Sequence, residues 1–356
     1  MKLFGKKKYP GGDRKYFFFG LPYLVKKRTG GGCRTYLFGI RISSGRASDD
    51  KPVVSFRIKG ATDGCDCCMS VSATPKQLAA DAREFLRGFD RENAAKAKRI
   101  IEKLKTAWGF IERGEFSAGQ SDFFTKSEIA RFRKMIAREG MRAIGDNYEY
   151  NGYVLPRLEY EPSIFHDEYE LERLKSADKI RADESLAVID VGAYIGDSSL
   201  ILSRHFPNNK IYAVEALPAL CKEIVKTVKL NGAENIIPVN LALSDKAGGE
   251  ITLSYEENKT EKCPVDTLDG FVKKNNLKVG LIKIDVEGAE WALLHGAMET
   301  IKSQRPAIIV SIYHNYRDLM KIKPLIDSLG LDYKFSLTDS CYGVYPVHEI
   351  TLNCEI

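Results

Sequence analysis

The segment Val188-Ile189-Asp190-Val191-Gly192-Ala193-Tyr194-Ile195-Gly196-Asp197-Ser198-Ser199 joins an apolar run to a helix-forming run through a glycine-containing turn. Glycine has no Cβ, so backbone N–H groups at such a turn can approach a ligand closely. The N-terminus of the helix that follows attracts an anionic group, and Asp190, at the strand's end, is placed to meet an ammonium. Ile211-Tyr212-Ala213-Val214-Glu215 ends in an acid 19 positions after Gly196, close to the ~20-residue offset at which a strand-end acid bonds ribose hydroxyls. The glycines are spaced Gly192-x-x-x-Gly196 rather than as the G-x-G-x-x-G of nicotinamide enzymes. Further on, Leu241 and Ala242 offer an apolar cover for a purine, with Ser244 and Asp245 beside its exocyclic amine. A tight strand-to-helix turn with a surface glutamate is the plainer alternative.

A second set of groups leaves two later apolar runs. Ile282-Lys283-Ile284-Asp285-Val286-Glu287-Gly288-Ala289-Glu290 presents Asp285 and Glu287, and Val310-Ser311-Ile312-Tyr313-His314 ends in an imidazole. Open α/β sheets bind ligands outside the carboxyl ends of their strands, so these three groups are expected over one pocket. Together they suit the removal of a proton from a hydroxyl nucleophile, with His314 as the expected base. Two plainer readings remain: Glu287-Gly288 caps the next helix, and His314 bonds a backbone carbonyl. Mg2+ takes one or two carboxylates plus water and substrate; only Asp285 and Glu287 lie close in sequence, and no metal is assigned. His348 and Glu349 are candidates for lining an acceptor pocket.

The elements that must position these groups read as alternating strands and helices. Apolar runs at 186–191, 210–214, 236–240, 281–286 and 307–312 have helical patterns between them, which predicts a mostly parallel sheet covered on both faces. Short strands at 333–337 and 349–354 bring the count to about seven, a doubly wound fold. Residues 74–140 are rich in helix formers. Ala97, Ile101, Leu104 and Trp108 share a helix face, and Thr74-Pro75 opens an earlier helix. Asn151-Gly152 between β-prone arms signals a hairpin. Three regions follow: a basic aromatic β segment at 1–60, a helical accessory region at 61–145, and an α/β domain at 146–356.

Composition narrows the class. Apolar and charged contents of 44% and 29% exclude disordered and fibrous chains. No run approaches the ~20 apolar residues of a membrane span, and Gly20 and Pro22 interrupt the apolar stretch after Lys15, so the chain reads as cytoplasmic. Residues 1–60 hold 15 Lys or Arg against 3 Asp or Glu, a net +12 that leaves −6 elsewhere. Such an arm suits an anionic membrane surface, nucleic acid or a phosphorylated substrate, or is simply a solvated face. Cys65, Cys67 and Cys68 lack C-x-x-C spacing and a nearby His, and read as reduced thiols in a loop.

The string from Ile282 to Glu290, followed by Leu293-Leu294-His295-Gly296-Ala297 and preceded by Val265-Asp266-Thr267-Leu268-Asp269, resembles the FkbM-type methyltransferase family. The likeness spans about 186–312 and leaves the first ~150 residues uncovered. It implies a class I methyltransferase fold, Rossmann-like with a mostly parallel seven-stranded sheet, and S-adenosylmethionine as cofactor. The implied cofactor contacts are Asp190, Gly192, Ala193, Gly196 and Glu215, with Tyr194, Asp197, Ala216, Leu241 and Ala242 in the same turns. The implied reaction is O-methylation of a sugar or other small molecule. The order of a short basic front end before the methyltransferase is similar to proteins of bacterial surface-polysaccharide synthesis, which places the chain at the inner face of the membrane, touching it through 1–45. Base methylation of nucleic acid is disfavoured, because Asp285-Val286-Glu287-Gly288 replaces the Asn/Asp-Pro-Pro-aromatic motif. Ribose methylation and a cofactor-binding scaffold remain as alternatives, and the oligomeric state is open.

Overall fold

The computed structural model describes residues 74–356 apart from 116, 137–140, 158–161, 256–258, 340–346 and 348; within residues 1–73 it describes seven strands as backbone. The main sheet contains β1 (Leu186–Val191), β2 (Ile211–Glu215), β3 (Ile236–Asn240), β4 (Lys278–Ile284), β5 (Ala307–Ser311), β6 (Lys334–Asp339) and β7 (Ile350–Glu355). Its strand order is β3-β2-β1-β4-β5-β7-β6. The first five are mutually parallel, and β7 runs antiparallel to both β5 and β6. This is the sheet of a class I methyltransferase, and the order reverses between β1 and β4. The loops leaving those two strands therefore open a crevice where a ligand can enter.

Alternate residues of each buried strand feed two cores, as the period of two requires. Val188, Leu281 and Ile309 face one core, while Ile189, Ile282 and Ile308 face the other. The first core lies under α3 (Asp197–His205) and α4 (Pro218–Asn231); the second is covered by α5 (Leu268–Lys274), α6 (Glu290–His295), α7 (Met298–Gln304) and α8 (Tyr316–Asp327). The helices α1 (Pro75–Leu86) and α2 (Arg91–Glu112) join this second core. Thr74 caps α1, accepting from the Gln77 N–H at 3.2 Å. Leu78, Phe85 and Ile100 are buried with Leu319, Leu337 and Leu352. Asn93 Oδ1 accepts the Leu337 N–H at 2.9 Å, and the Tyr316 hydroxyl donates to Asp81 at 2.8 Å. The helical region thus shares its core with the α/β sheet rather than forming a core of its own.

Several expectations shift at this level. The interval before β4 is largely a β-hairpin, Glu250–Tyr255 against Lys259–Asp266, where helical patterning was expected; only α5 is helical there. Cys65–Val71 is a strand paired with Val54–Thr62, so residues 65–68 lie in a ladder and not in a loop. Strands between residues 4 and 44 pair antiparallel in chain order. The Asn151-Gly152 hairpin forms as expected, with φ of 52° and 80°, the left-handed pair that a tight primed turn needs.

Candidate active site

The turn after β1 is closed on itself. The N–H groups of Gly192 and Ala193 both donate to the Val214 carbonyl, at 2.9 and 3.1 Å, and that of Gly196 donates to the Ala193 carbonyl at 2.7 Å. The N–H groups of Gly192 and Ala193 thus bind β1 to β2 and that of Gly196 closes the turn, so the expected close approach of these groups to a ligand is corrected. The glycines are required by packing. Gly192 has φ +77°, and a Cβ there would lie 1.7 Å from the Asp285 carbonyl oxygen; Gly196, at φ +86°, precedes the first turn of α3. Ala193 is fully buried, so its side chain meets the core and not a ligand.

Asp190 is corrected as well. It is fully buried, accepts from the Ser198 and Ser199 hydroxyls at 2.7 and 2.6 Å, and pairs with Lys283 Nζ at 3.0 Å. It therefore braces the turn from below instead of meeting an ammonium. Lys283, its register partner across β1 and β4, also donates to the Gly192 carbonyl at 3.1 Å. Burial works against the Lys283 charge, but Asp190 and then Asp285 outweigh it and keep the amine's pKa raised.

Glu215 ends β2 beside this turn and is buried. Its oxygens accept from the backbone N–H of Tyr194 at 3.0 Å and Leu217 at 2.8 Å, while burial pushes its pKa up to about 7. Each oxygen keeps a second lone pair, so the carboxylate fits a pair of ribose hydroxyls. Tyr194, Ala216 and Leu241 are half-buried around it, whereas Ala242 is buried and pairs with Val265. Asp197 opens α3, accepts the Ser198 N–H at 2.9 Å, and is raised to about 6 by burial.

The second half of the site is built on β4, β5 and α6. His314, 8% exposed, places Nδ1 2.9 Å from Glu290 Oε1. Its Nε2 faces Asp285 Oδ1 at 3.4 Å and Glu287 Oε2 at 3.7 Å. Glu290 is wholly buried and is fixed by the Val286 N–H at 2.9 Å. Asp285 and Glu287 are 21% and 33% exposed and rim the opening. Burial alone would lower the His314 pKa, yet Glu290, Glu287 and Asp285 hold it well above the imidazole range. Nε2, the atom expected to take the proton, faces the two carboxylates. Asp285 and Glu287 are the more open groups of the cluster, and burial raises both against the pull of His314. Neither plainer reading holds: α6 has no side-chain cap, and His314 bonds a carboxylate rather than a carbonyl. Glu349 is half-buried and close enough to raise Asp285 and Glu287, while His348 lies outside the described residues.

Sequence reasoning gave no role to three residues of this site. Lys283 and Glu290 stand inside the string at 282–290, where an interior Lys and a Glu after Ala were available signals. Tyr169 had none. It is 7% exposed with a hydroxyl that has no hydrogen-bond partner, and burial, then Asp285, Asp190 and Asp197, raise its pKa. It belongs to the run Glu168-Tyr169-Glu170, with φ of 44°, 56° and 53°, a strained conformation that the surrounding packing must enforce.

Residues 190–336 match the family described as Methyltransferase FkbM domain. That match makes this stretch of the α/β sheet similar to FkbM-type methyltransferase domains. A protein named Methyltransferase 1, from Beauveria bassiana, is 24% identical over 216 residues, covering 51% of this chain and 86% of that protein. The solved methyltransferase FkbM from Methylobacillus flagellatus is similar over 78% of this chain at 16% identity and a TM-score of 0.44; this chain covers 58% of its length. TYW2 of M. jannaschii, solved in complex with AdoMet, is similar over 58% of this chain and 84% of its own, at 12% identity and a TM-score of 0.34.

Proposed function

We propose that this chain is an S-adenosylmethionine-dependent O-methyltransferase acting on a hydroxyl of a sugar or other small molecule, in the class of surface-polysaccharide intermediates. One observation carries the reading. Two groups of different chemistry flank the point where the strand order reverses: the acid Glu215 at the end of β2 on one side, and the acid–imidazole cluster of Asp285, Glu287 and His314 after β4 and β5 on the other. When bound, S-adenosylmethionine would supply an activated methyl group to an acceptor oxygen, with S-adenosylhomocysteine as the leaving group.

The chain's own residues do the rest. Glu215 holds ribose hydroxyls, and the Lys283–Asp190 pair fixes the turn that carries Tyr194. Alignment of the acceptor behind the methyl group is the main demand of such a reaction. A sugar hydroxyl must also lose its proton, and Asp285 or Glu287 takes it within hydrogen-bond reach. His314 and Glu290 keep those carboxylates in place.

The test is transfer of labelled methyl from the cofactor to a panel of nucleotide sugars, glycans, lipids and RNA, with mass spectrometry of products. Methyl ethers on sugar hydroxyls are expected. Label appearing on nitrogen, carbon or RNA alone would remove the reading. The basic segment 1–45 is assigned to an anionic membrane surface near a polymeric acceptor, on its charge. Equal sedimentation of the full chain with phosphatidylglycerol and phosphatidylcholine vesicles would sink that assignment.

A further inference from the structure

Among the described residues, Asp285, Glu287 and His314 each offer one ligand atom, and these atoms lie within 4.8 Å of one another. Asp285 Oδ1, Glu287 Oε2 and His314 Nε2 are all buried atoms with no hydrogen-bond partner. Two carboxylate oxygens converge on one imidazole nitrogen here, and a positive charge between them, a proton on Nε2 or a cation in its place, offsets their repulsion. A hydrogen bond does not bridge them, since 3.4 and 3.7 Å exceed the normal range. A cation bonded at about 2.1 Å separates its ligands by about 3.0 Å along an octahedral edge and about 3.4 Å along a tetrahedral one. The two gaps to His314, 3.4 and 3.7 Å, lie at and just beyond the tetrahedral edge.

The surroundings of His314 point the same way. Its other nitrogen, Nδ1, meets Glu290 Oε1 at 2.9 Å, and Glu290 is wholly buried and anchored by the Val286 N–H. A carboxylate behind an imidazole fixes the tautomer, aims the far nitrogen and strengthens it as a ligand, the arrangement that metal-binding histidines favour. The imidazole side chain is 8% exposed, whereas the two carboxylates open toward solvent at 21% and 33%. An ion held here would keep positions open on the cleft side. One nitrogen and two oxygen donors suit Mn2+, Fe2+, Co2+ or Zn2+ better than Mg2+ or Ca2+, which take oxygen ligands.

We infer that Asp285, Glu287 and His314 bind one divalent first-row transition ion, whose open positions receive the oxygen of the methyl acceptor. The inference rests on the proposed reading of this site and deepens it. The ion takes the place of the Nε2 proton, and a hydroxyl bound to it loses its proton more readily. That proton passes to solvent or to the carboxylate oxygen not engaged by the ion.

The test uses untagged full-length protein stripped with chelator and titrated with Mn2+, free ion being followed by electron paramagnetic resonance. One equivalent per chain is expected to bind. His314→Gln and Asp285→Asn should each weaken uptake at least tenfold while cofactor affinity, read by calorimetry, stays within about threefold of wild type. Co2+ should give visible absorption bands that shift in His314→Gln. If wild-type protein that binds cofactor takes up no stoichiometric Mn2+, Co2+ or Zn2+, the site is excluded, whatever the variants do. Uptake unchanged in a folded His314→Gln protein excludes it equally. Uptake needs no turnover, so the two readings separate. Ion binding without methylation of any hydroxyl keeps the site and refutes the proposed reaction, while hydroxyl methylation unaffected by chelator keeps the reaction and refutes the site.

Discussion

Glu215 gives the sharpest handle on the cofactor site. Its carboxylate accepts two backbone N–H groups, from Tyr194 at 3.0 Å and Leu217 at 2.8 Å, and offers its remaining lone pairs to ribose. Burial raises its pKa to about 7, with both N–H groups pulling the other way. Ribose hydroxyls donate, so binding favours the ionised form, and affinity should fall as pH drops through 7. For a pKa near 7 the linkage predicts about tenfold weaker binding at pH 6 than at pH 8. Glu215→Gln removes the charge and turns an NH2 group toward one of the two backbone N–H donors. That costs fold stability, while the ribose loses its charged acceptor, at about 1.5–3 kcal/mol, or roughly 10- to 150-fold in affinity. Calorimetric titration of S-adenosylmethionine at pH 6, 7 and 8 checks both. The wild type should show the slope, and the variant should bind weakly with no slope in this window. Equal affinity at pH 6 and 8, or wild-type affinity in Glu215→Gln, would refute the assignment.

Three other outcomes follow from the same geometry. Lys283→Met leaves Asp190 buried without its cation and should cost about 3–5 kcal/mol in urea denaturation, while Asp190→Asn/Lys283→Met should recover most of that loss; a single variant within 1 kcal/mol of wild type contradicts the pair's role. Gly192→Ala forces a Cβ to 1.7 Å from the Asp285 carbonyl at a φ of +77°, so it should destabilise the fold by at least about 3 kcal/mol, beyond any change in cofactor affinity. Tyr169→Phe deletes a buried hydroxyl that has no partner, so stability should rise by about 1 kcal/mol while methyl transfer slows. Unchanged turnover would confine Tyr169 to packing.

The sequence by itself determined the sheet and the chemical types at its edge. Short continuous apolar runs alternating with helical patterns read as doubly covered strands, and β1 and β3 fall where those runs lie. Glu215, Asp285, Glu287 and His314 were legible because each ends such a run, and strand ends are where an open sheet leaves room for a ligand. What sequence could not decide was which atoms each group would meet. Asp190 and Glu215 both end strands, yet one is locked under the turn by Lys283, Ser198 and Ser199 while the other keeps lone pairs toward the crevice. That difference comes from the register of β1 against β4, which sets Lys283 beside Asp190. The role of His314 likewise turned on Glu290, 24 residues earlier in the chain, because only the packing of α6 against β5 brings a buried carboxylate to its Nδ1. Tyr169 reaches the site through three successive left-handed residues, which no local preference favours and only tertiary contacts can hold.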